Sequence, residues 1–376
     1  MNTPLVSARR IVVKTGSALI AEAGSARHDW LERLARDIAE LRESGREVVL
    51  VTSGAIALGR GALGASSAGR LRLEEKQAAA AFGQPYLMGA LETVFAPHGI
   101  RVAQSLLTLS DTENRRRWLN ARATLETLLA AGGLPVINEN DTVATDEIRY
   151  GDNDRLAARA AQMLSADCLI LLSDVDGLYT ADPRLDPSAC HIRELSQLGE
   201  EHIAMAGGAN AESGLGSGGM ATKLAAARIA YAAGCATAIT AGNRQAPLRA
   251  LADGARATWI LPPLSPARAR ETWLAGHLSP EGTLVIDDGA VNALAGGASL
   301  LPVGVCDVAG RFERGAAVEV TDRTGRPVAK GVTAYGSADI ARIAGRRSEE
   351  VETLLGWRGR PAIIHRDDLV FTGPRS

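Results

Sequence analysis

The chain predicts an α/β protein: an αβα sandwich built on a parallel sheet, followed by a small, mostly β domain. Three observations carry that expectation. Over the first two-thirds, short apolar runs rich in branched residues alternate with long alanine-rich stretches. A proline-rich segment, Leu261-Pro262-Pro263-Leu264-Ser265-Pro266, then interrupts the pattern. Beyond it the texture changes to short alternating runs separated by glycine turns. Continuous apolar strands alternating with helices indicate a parallel sheet covered on both faces.

In chain order, residues 11–13, 48–51, 134–137, 169–172 and 236–240 read as buried strands. Residues 30–43, 74–82, 118–130, 154–164 and 220–233 carry helical patterns between them. In sheets of this kind, sites lie beyond the carboxyl ends of the strands. The polar motifs described below fall there. We expect a first domain over residues 1–260, a linker over 261–275, and a second domain over 276–376. In the second domain, residues 283–286, 317–320 and 328–332 read as strands, each near a glycine turn. Neither an internal repeat nor a low-complexity tract is visible.

Composition excludes several functional classes. The chain has 376 residues with a formal net charge of −2, so it offers no global attraction to nucleic acid or an anionic membrane. No apolar run approaches the length of a membrane span, and Lys14 breaks the short N-terminal stretch. The four cysteines, Cys168, Cys190, Cys235 and Cys306, form no CxxC pair, which argues against a zinc site or a disulfide framework. The expectation is a cytoplasmic, soluble protein.

Of the 41 basic residues only four are lysine: Lys14, Lys76, Lys223 and Lys330. A composition that replaces lysine by arginine almost everywhere marks the places where a compact ammonium is needed instead of a planar fork. Lys14 ends the run Ile11-Val12-Val13 and precedes Thr15-Gly16-Ser17. Lys223 closes the glycine-rich stretch from Gly214 to Thr222. Two such lysines suggest ammonium groups converging on phosphates. Lys76 lies on an amphipathic helix and fits a solvated face equally well; Lys330 reads as structural.

Four further motifs sit at strand ends. Thr52-Ser53-Gly54 follows the strand at 48–51, where small residues and free helix-start amides suit an anionic group. Gly54-x4-Gly59-Arg60 is no P-loop, because it lacks the terminal Lys-Ser/Thr. Asn138-Glu139-Asn140-Asp141-Thr142 follows the strand at 134–137, and Gly151-Asp152-Asn153-Asp154 opens a helix. Residues such as Asp152 or Asn153 often only cap helices. Two acid/amide clusters so close together exceed that need, and their carboxylates would bind a substrate ammonium, hold Mg²⁺, or orient the two lysines. Ser173-Asp174 ends the strand at 169–172 and would meet a nucleotide. Residues 214–219 match GxGxxG, but no strand immediately precedes them, so a backbone-amide cradle for phosphates running into Lys223 suits them better.

No Ser-His-Asp or Cys-His arrangement is apparent, and the six histidines cluster nowhere. Phosphoryl transfer tolerates that, since it depends on positioning and on neutralising charge around the transferring group. A carboxylate acceptor is already ionised at neutral pH and needs no general base.

Taken in order, VVKTGS, VVLVTSGAIALGR, KQAAAAFGQ, PVINENDTVAT, GDNDRLAA, LLSDVDGLYTADPR and GLGSGGMATK resemble the amino acid kinase family, in particular its glutamate-phosphorylating members. The tail, with SLLPVGV, FERG, VAKGVTAY and IIHRDDLV, resembles a PUA domain. The resemblance covers nearly the whole chain. It implies the amino acid kinase fold, ATP as co-substrate with Mg²⁺, L-glutamate as acceptor, proline as feedback inhibitor, and a homodimer or homotetramer.

Residue by residue, the resemblance implies that Lys14 and Lys223 flank the transferring phosphoryl group and that Asp154 orients them. It implies contacts to glutamate from Ser53, Asp141 and Asn153, with Asp152 nearby. ATP would meet Lys14, Ser173, Asp174 and the segment Ser217, Gly218, Gly219, Met220, Ala221, Thr222 and Lys223. No protein side chain is assigned to a metal. The chain departs from the family at Gly16-Ser17-Ala18, where a second hydroxyl is common, and at Ala316, where an aspartate is common.

The near alternative is a kinase of the same family acting on aspartate, acetylglutamate or UMP. A different class is RNA binding through the tail. From residue 277 onward acidic residues outnumber basic ones 13 to 12, which disfavours a phosphate-backbone binder. Nucleic acid and membrane are therefore not expected partners.

Overall fold

The computed structural model describes residues 3–64, 71–143, 152–202, 219–277 and 279–373, with the backbone alone at 152, 273, 276 and 277. The chain divides into two compact units, Met1–Pro266 and Ala267–Ser376. Of the stretch expected as a linker, residues from Pro266 onward belong to a helix, Pro266–His277, with proline at its first position, where a missing amide proton costs nothing.

The first unit is built on an eight-stranded sheet. In chain order its strands are β1 (Arg10–Thr15), β2 (Glu47–Val51), β3 (Val102–Leu107), β4 (Leu134–Glu139), β5 (Cys168–Ser173), β6 (Glu194–Leu195), β7 (Ala236–Ala241) and β8 (Ala257–Ile260). Their spatial order is β6-β8-β7-β5-β1-β2-β4-β3. The ladders are parallel except between β7 and β8, where Thr237 pairs with Ile260 and Thr240 with Ala257. All five strands expected from apolar runs are present. The less apolar edge strand β3 and the short β6 and β8 were not foreseen, because neither carries a long branched run.

Helices cover both faces: α1 (His28–Glu43), α2 (Ala55–Gly59), α3 (Leu73–Phe95), α4 (Arg115–Ala130), α5 (Asp152–Met163) and α6 (Met220–Ala232). The pleat divides each strand between two cores. Ile11, Val13, Val48, Leu50, Ile170 and Leu172 pack with Trp30, Leu34, Leu87 and Leu91 of α1 and α3. Val12, Val49, Val51, Leu169 and Leu171 pack with Leu156, Ala160, Leu224 and Ala227 of α5 and α6.

Helix α3 runs well past its expected end at residue 82 and continues through Pro85, which is exposed. Its Gly83 lies against α2: a Cβ at Gly83 would overlap the Ala55 carbonyl oxygen, and one at Gly59 the Ala79 carbonyl oxygen. Gly83, just past the expected end, is thus a contact point where two helix backbones meet.

The second unit holds a five-stranded sheet with the order Val305–Ala309, Gly282–Ile286, Ala317–Asp322, Pro327–Val332, Leu369–Phe371. Only the pairing of Gly282–Ile286 with Ala317–Asp322 is parallel. Leu284, Val318, Val320, Ile340, Ile363 and Ile364 form its core. Among the described residues, no helix of either unit is long and apolar enough to cross a membrane.

Candidate active site

Strand parity decides where Lys14 points. Val12 belongs to the core shared with α5 and α6, so Lys14, two residues on, faces those same helices. In the parallel register Lys14 pairs with Val51 on one side and Leu171 on the other, near the carboxyl ends of all three strands. Helix α5 begins at Asp152 and places Asp154 in its first turn. Helix α6 begins at Met220 and places Lys223 at the end of its first turn, with Gly219 as N-cap in an extended conformation.

These elements bring three expected residues together. Lys14 Nζ lies 2.6 Å from Asp154 Oδ1, and Lys223 Nζ lies 3.3 Å from Asp154 Oδ2. All three are buried, at 6%, 0% and 4% relative exposure for Lys14, Asp154 and Lys223. Thr222 adds a hydroxyl, 3.1 Å from the same Asp154 Oδ2. One carboxylate thereby holds two ammonium groups from elements far apart in sequence.

Burial acts on both partners in opposite senses. It pushes the Lys14 ammonium below the usual lysine range; Asp154 opposes that shift, and the neighbouring Lys223 charge adds to it. For Asp154 burial favours the neutral acid, but the charges of Lys14 and Lys223 and their hydrogen bonds outweigh it. The carboxyl stays below its ordinary value. Asp154 is therefore an anion at neutral pH.

A second group forms beside the first. Asn153 Nδ2 donates to Ser53 Oγ at 2.8 Å and to Asn138 Oδ1 at 3.1 Å. Asn138 Oδ1 also accepts from the Glu139 amide at 2.9 Å. Asn138 Nδ2 donates to Gln84 Oε1 at 2.9 Å, and Gln84 Nε2 donates to Gln104 Oε1 at 2.9 Å. Both protons of Asn153 Nδ2 are used, while its buried Oδ1 has no hydrogen-bond partner among the described residues. Gly54, at φ +106°, supplies the turn that follows Ser53; a Cβ there would come 3.1 Å from Ile20 Cγ2.

Ser173 ends β5 and donates to Asp174 Oδ1 at 2.8 Å, with Asp174 exposed. Asp141 lies in the turn after β4, partly exposed. Gly219, Met220 and Ala221 form the start of α6. Ser217, Gly218 and the side chain of Asp152 lie outside the described residues. Among the described residues no three His, Cys, Asp or Glu side chains converge as a metal site.

The model of the amino acid kinase family matches residues 9–241, and that of the PUA domain matches residues 282–355. The chain belongs to the amino acid kinase family. Within it, glutamate 5-kinase of Caulobacter vibrioides is 59% identical over 365 residues, spanning 96% of each chain. Glutamate 5-kinase of Paramagnetospirillum magneticum is 56% identical over 373 residues, spanning 99% of this chain and all of its own. Among solved structures, a carbamate kinase from Giardia lamblia covers 68% of this chain and 98% of its own at 18% identity, with a TM-score of 0.47.

Membership in an amino acid kinase family makes the chain a kinase that uses ATP. Neither Gln84 nor Gln104 stands out in the sequence, although KQAAAAFGQ contains a signal. Gln84 is one of the few polar side chains in an alanine-rich helix. The role of Thr222 as a neighbour of Asp154 was also unforeseen, since residues at i and i+1 in a helix rarely look like parts of one charge cluster.

Proposed function

We propose that this protein transfers the terminal phosphoryl group of ATP to the side-chain carboxylate of L-glutamate, the first step of proline biosynthesis. The observation that carries the reading is the Lys14–Asp154–Lys223 cluster at the carboxyl ends of the central strands. The names of the relatives, aligned over nearly the whole chain, support glutamate as the acceptor.

In this reading a carboxylate oxygen of glutamate attacks the γ-phosphorus. The bond from that phosphorus to the bridging oxygen breaks, and ADP leaves with its electron pair. The acceptor is already an anion at neutral pH, so no side chain removes a proton. Lys14 and Lys223 lie on either side of the transferring group and offset charge that accumulates on its oxygens. Asp154 holds both ammonium groups in place, and Thr222 braces Asp154. Ser173, Asp174 and residues 217–223 contact the nucleotide.

Glutamate would be held by Ser53, Asp141 and Asn153, with Asp152 nearby. The polarity of the amide group suits a zwitterion. Ser53 Oγ accepts from Asn153, leaving its own proton to give to a carboxylate, and Asn153 Oδ1 remains to accept from an ammonium. Mg²⁺ is commonly bound by one or two carboxylates together with substrate phosphates. Asp174, exposed at its strand end, is the carboxylate that would join the phosphate oxygens around it. The ion would neutralise phosphate charge.

The catalytic work belongs to residues 1–260, joined through 261–275 to the PUA-type domain at 276–376. We place the enzyme in the cytoplasm as a homodimer or homotetramer, with proline competing at the glutamate site. The test is hydroxamate formation with Mg²⁺-ATP and L-glutamate, compared with aspartate, N-acetylglutamate and UMP by ADP release, with and without proline. Product from glutamate alone, suppressed by proline, is expected. Turnover with another acceptor and none with glutamate would overturn the substrate assignment while leaving the phosphate site intact.

A further inference from the structure

We infer that Gln84 is a positioning residue for the amino-acid acceptor, acting through Asn138 on Asn153; the inference rests on the glutamate reading above. The Glu139 amide donates to Asn138 Oδ1 at 2.9 Å, which fixes that oxygen on the Asn153 side. Asn138 must then present Nδ2 in the opposite direction, and there it meets Gln84 Oε1 at 2.9 Å. With Asn138 Oδ1 held as acceptor, Asn153 turns Nδ2 toward it and toward Ser53, at 3.1 and 2.8 Å. Its own Oδ1 is left buried and unpartnered among the described residues, as the acceptor offered to a ligand.

A primary amide can flip by half a turn at little steric cost but with complete reversal of polarity. A flipped Asn153 would present a donor where an ammonium has to donate. Gln84 opposes that flip from two bonds away, because it requires Asn138 to remain a donor on its outer side. Gln104 fixes Gln84 in turn, accepting from Nε2 at 2.9 Å. The Gly59–Gly83 backbone contact sets the position of Gln84, the next residue along α3. The relay thus runs from the far end of the sheet, at β3, to the acceptor pocket, and it touches neither lysine.

The test replaces Gln84 by side chains of similar size and different polarity. Gln84→Met removes the acceptor, and Gln84→Glu keeps an oxygen that accepts from Asn138. Kinetics with glutamate and ATP are measured beside thermal unfolding. Gln84→Met is expected to raise KM for glutamate about five- to tenfold, the size of one lost hydrogen bond, with KM for ATP and kcat within about twofold. Gln84→Glu is expected to restore most of the loss. Gln104→Met breaks only the outer link and is expected to raise KM for glutamate less; it serves if Gln84→Met does not fold. Unchanged KM for glutamate in both Met variants, a parallel rise in KM for ATP, or equal impairment by Glu and Met would overturn the relay. If the wild type phosphorylates another acceptor instead, a selective rise in that acceptor's KM supports the relay while the glutamate reading fails.

Discussion

The Thr222 hydroxyl lies 3.1 Å from Asp154 Oδ2 and 2.8 Å from the Gly219 carbonyl, so its single proton is divided between the charge cluster and the start of α6. This ties the orientation of Asp154 to the end of the glycine-rich segment. Thr222→Val keeps the shape and removes the proton. It is expected to lower kcat several-fold and stability by about 1–2 kcal/mol, since the lost bond goes to a charged acceptor. Thr222→Ser should keep both, as steady-state kinetics and chemical denaturation would show.

Asp154→Asn leaves two buried ammonium groups without the carboxylate that holds them. Breaking one side of a buried ion pair commonly costs about 3 kcal/mol or more. Turnover should fall at least about a hundredfold, because misplacement of about 1 Å at the reacting centre has that effect. Normal turnover in a folded Asp154→Asn protein would exclude the orienting role.

Lys14→Arg and Lys223→Arg test why lysine survives in so arginine-rich a chain. Both sites are buried beside one carboxylate, where a compact ammonium and a broad planar guanidinium present their donors differently. Each is expected to lower kcat at least about tenfold, or about 1.4 kcal/mol in barrier height, with an unchanged circular dichroism spectrum. Near-normal turnover in both would refute the argument from composition.

The pH dependence follows from the directions of the shifts. The Lys14 ammonium sits below the ordinary lysine range, so its proton is lost at lower pH than a solvated lysine would lose it. kcat/KM, which reports the free enzyme, should fall on an alkaline limb below 10.5. In Asp154→Asn that limb should move further down, because the partner that raises the Lys14 value is gone. On the acid side the sign is opposite. Asp154 is held below 3.8, so its ionised form contributes stability above that pH and loses it as the pH falls through the lowered value.

Gly83→Ala places a Cβ against the Ala55 carbonyl, a backbone atom that moves only if α2 shifts. We expect a loss of about 1–3 kcal/mol and a lower unfolding temperature, in the range of overpacked cores. Because α2 starts just after Ser53, KM for glutamate should rise as well.

Much of this protein was legible in its sequence. Short apolar runs enriched in branched residues favour buried strands, and those at 11–13, 48–51, 134–137, 169–172 and 236–240 all became interior strands of the sheet. Lys14 and Lys223 stood out because lysine scarcity, a strand end and a glycine-rich stretch are local properties, whereas the orienting role of Asp154 was implied by the family resemblance. Tertiary structure alone decided the rest. Without the resemblance, the residues alone show Asp154 as one acid among several; its contact with both lysines depends on strand parity and on where α5 and α6 cross the sheet. Nor does sequence reveal that Gln84 reaches Asn138, since a glutamine on an alanine-rich helix looks like any solvated residue until the Gly59–Gly83 contact brings it in. Local propensity is written in neighbouring residues. Hydrogen-bond polarity between distant elements arises only when packing brings their backbones together.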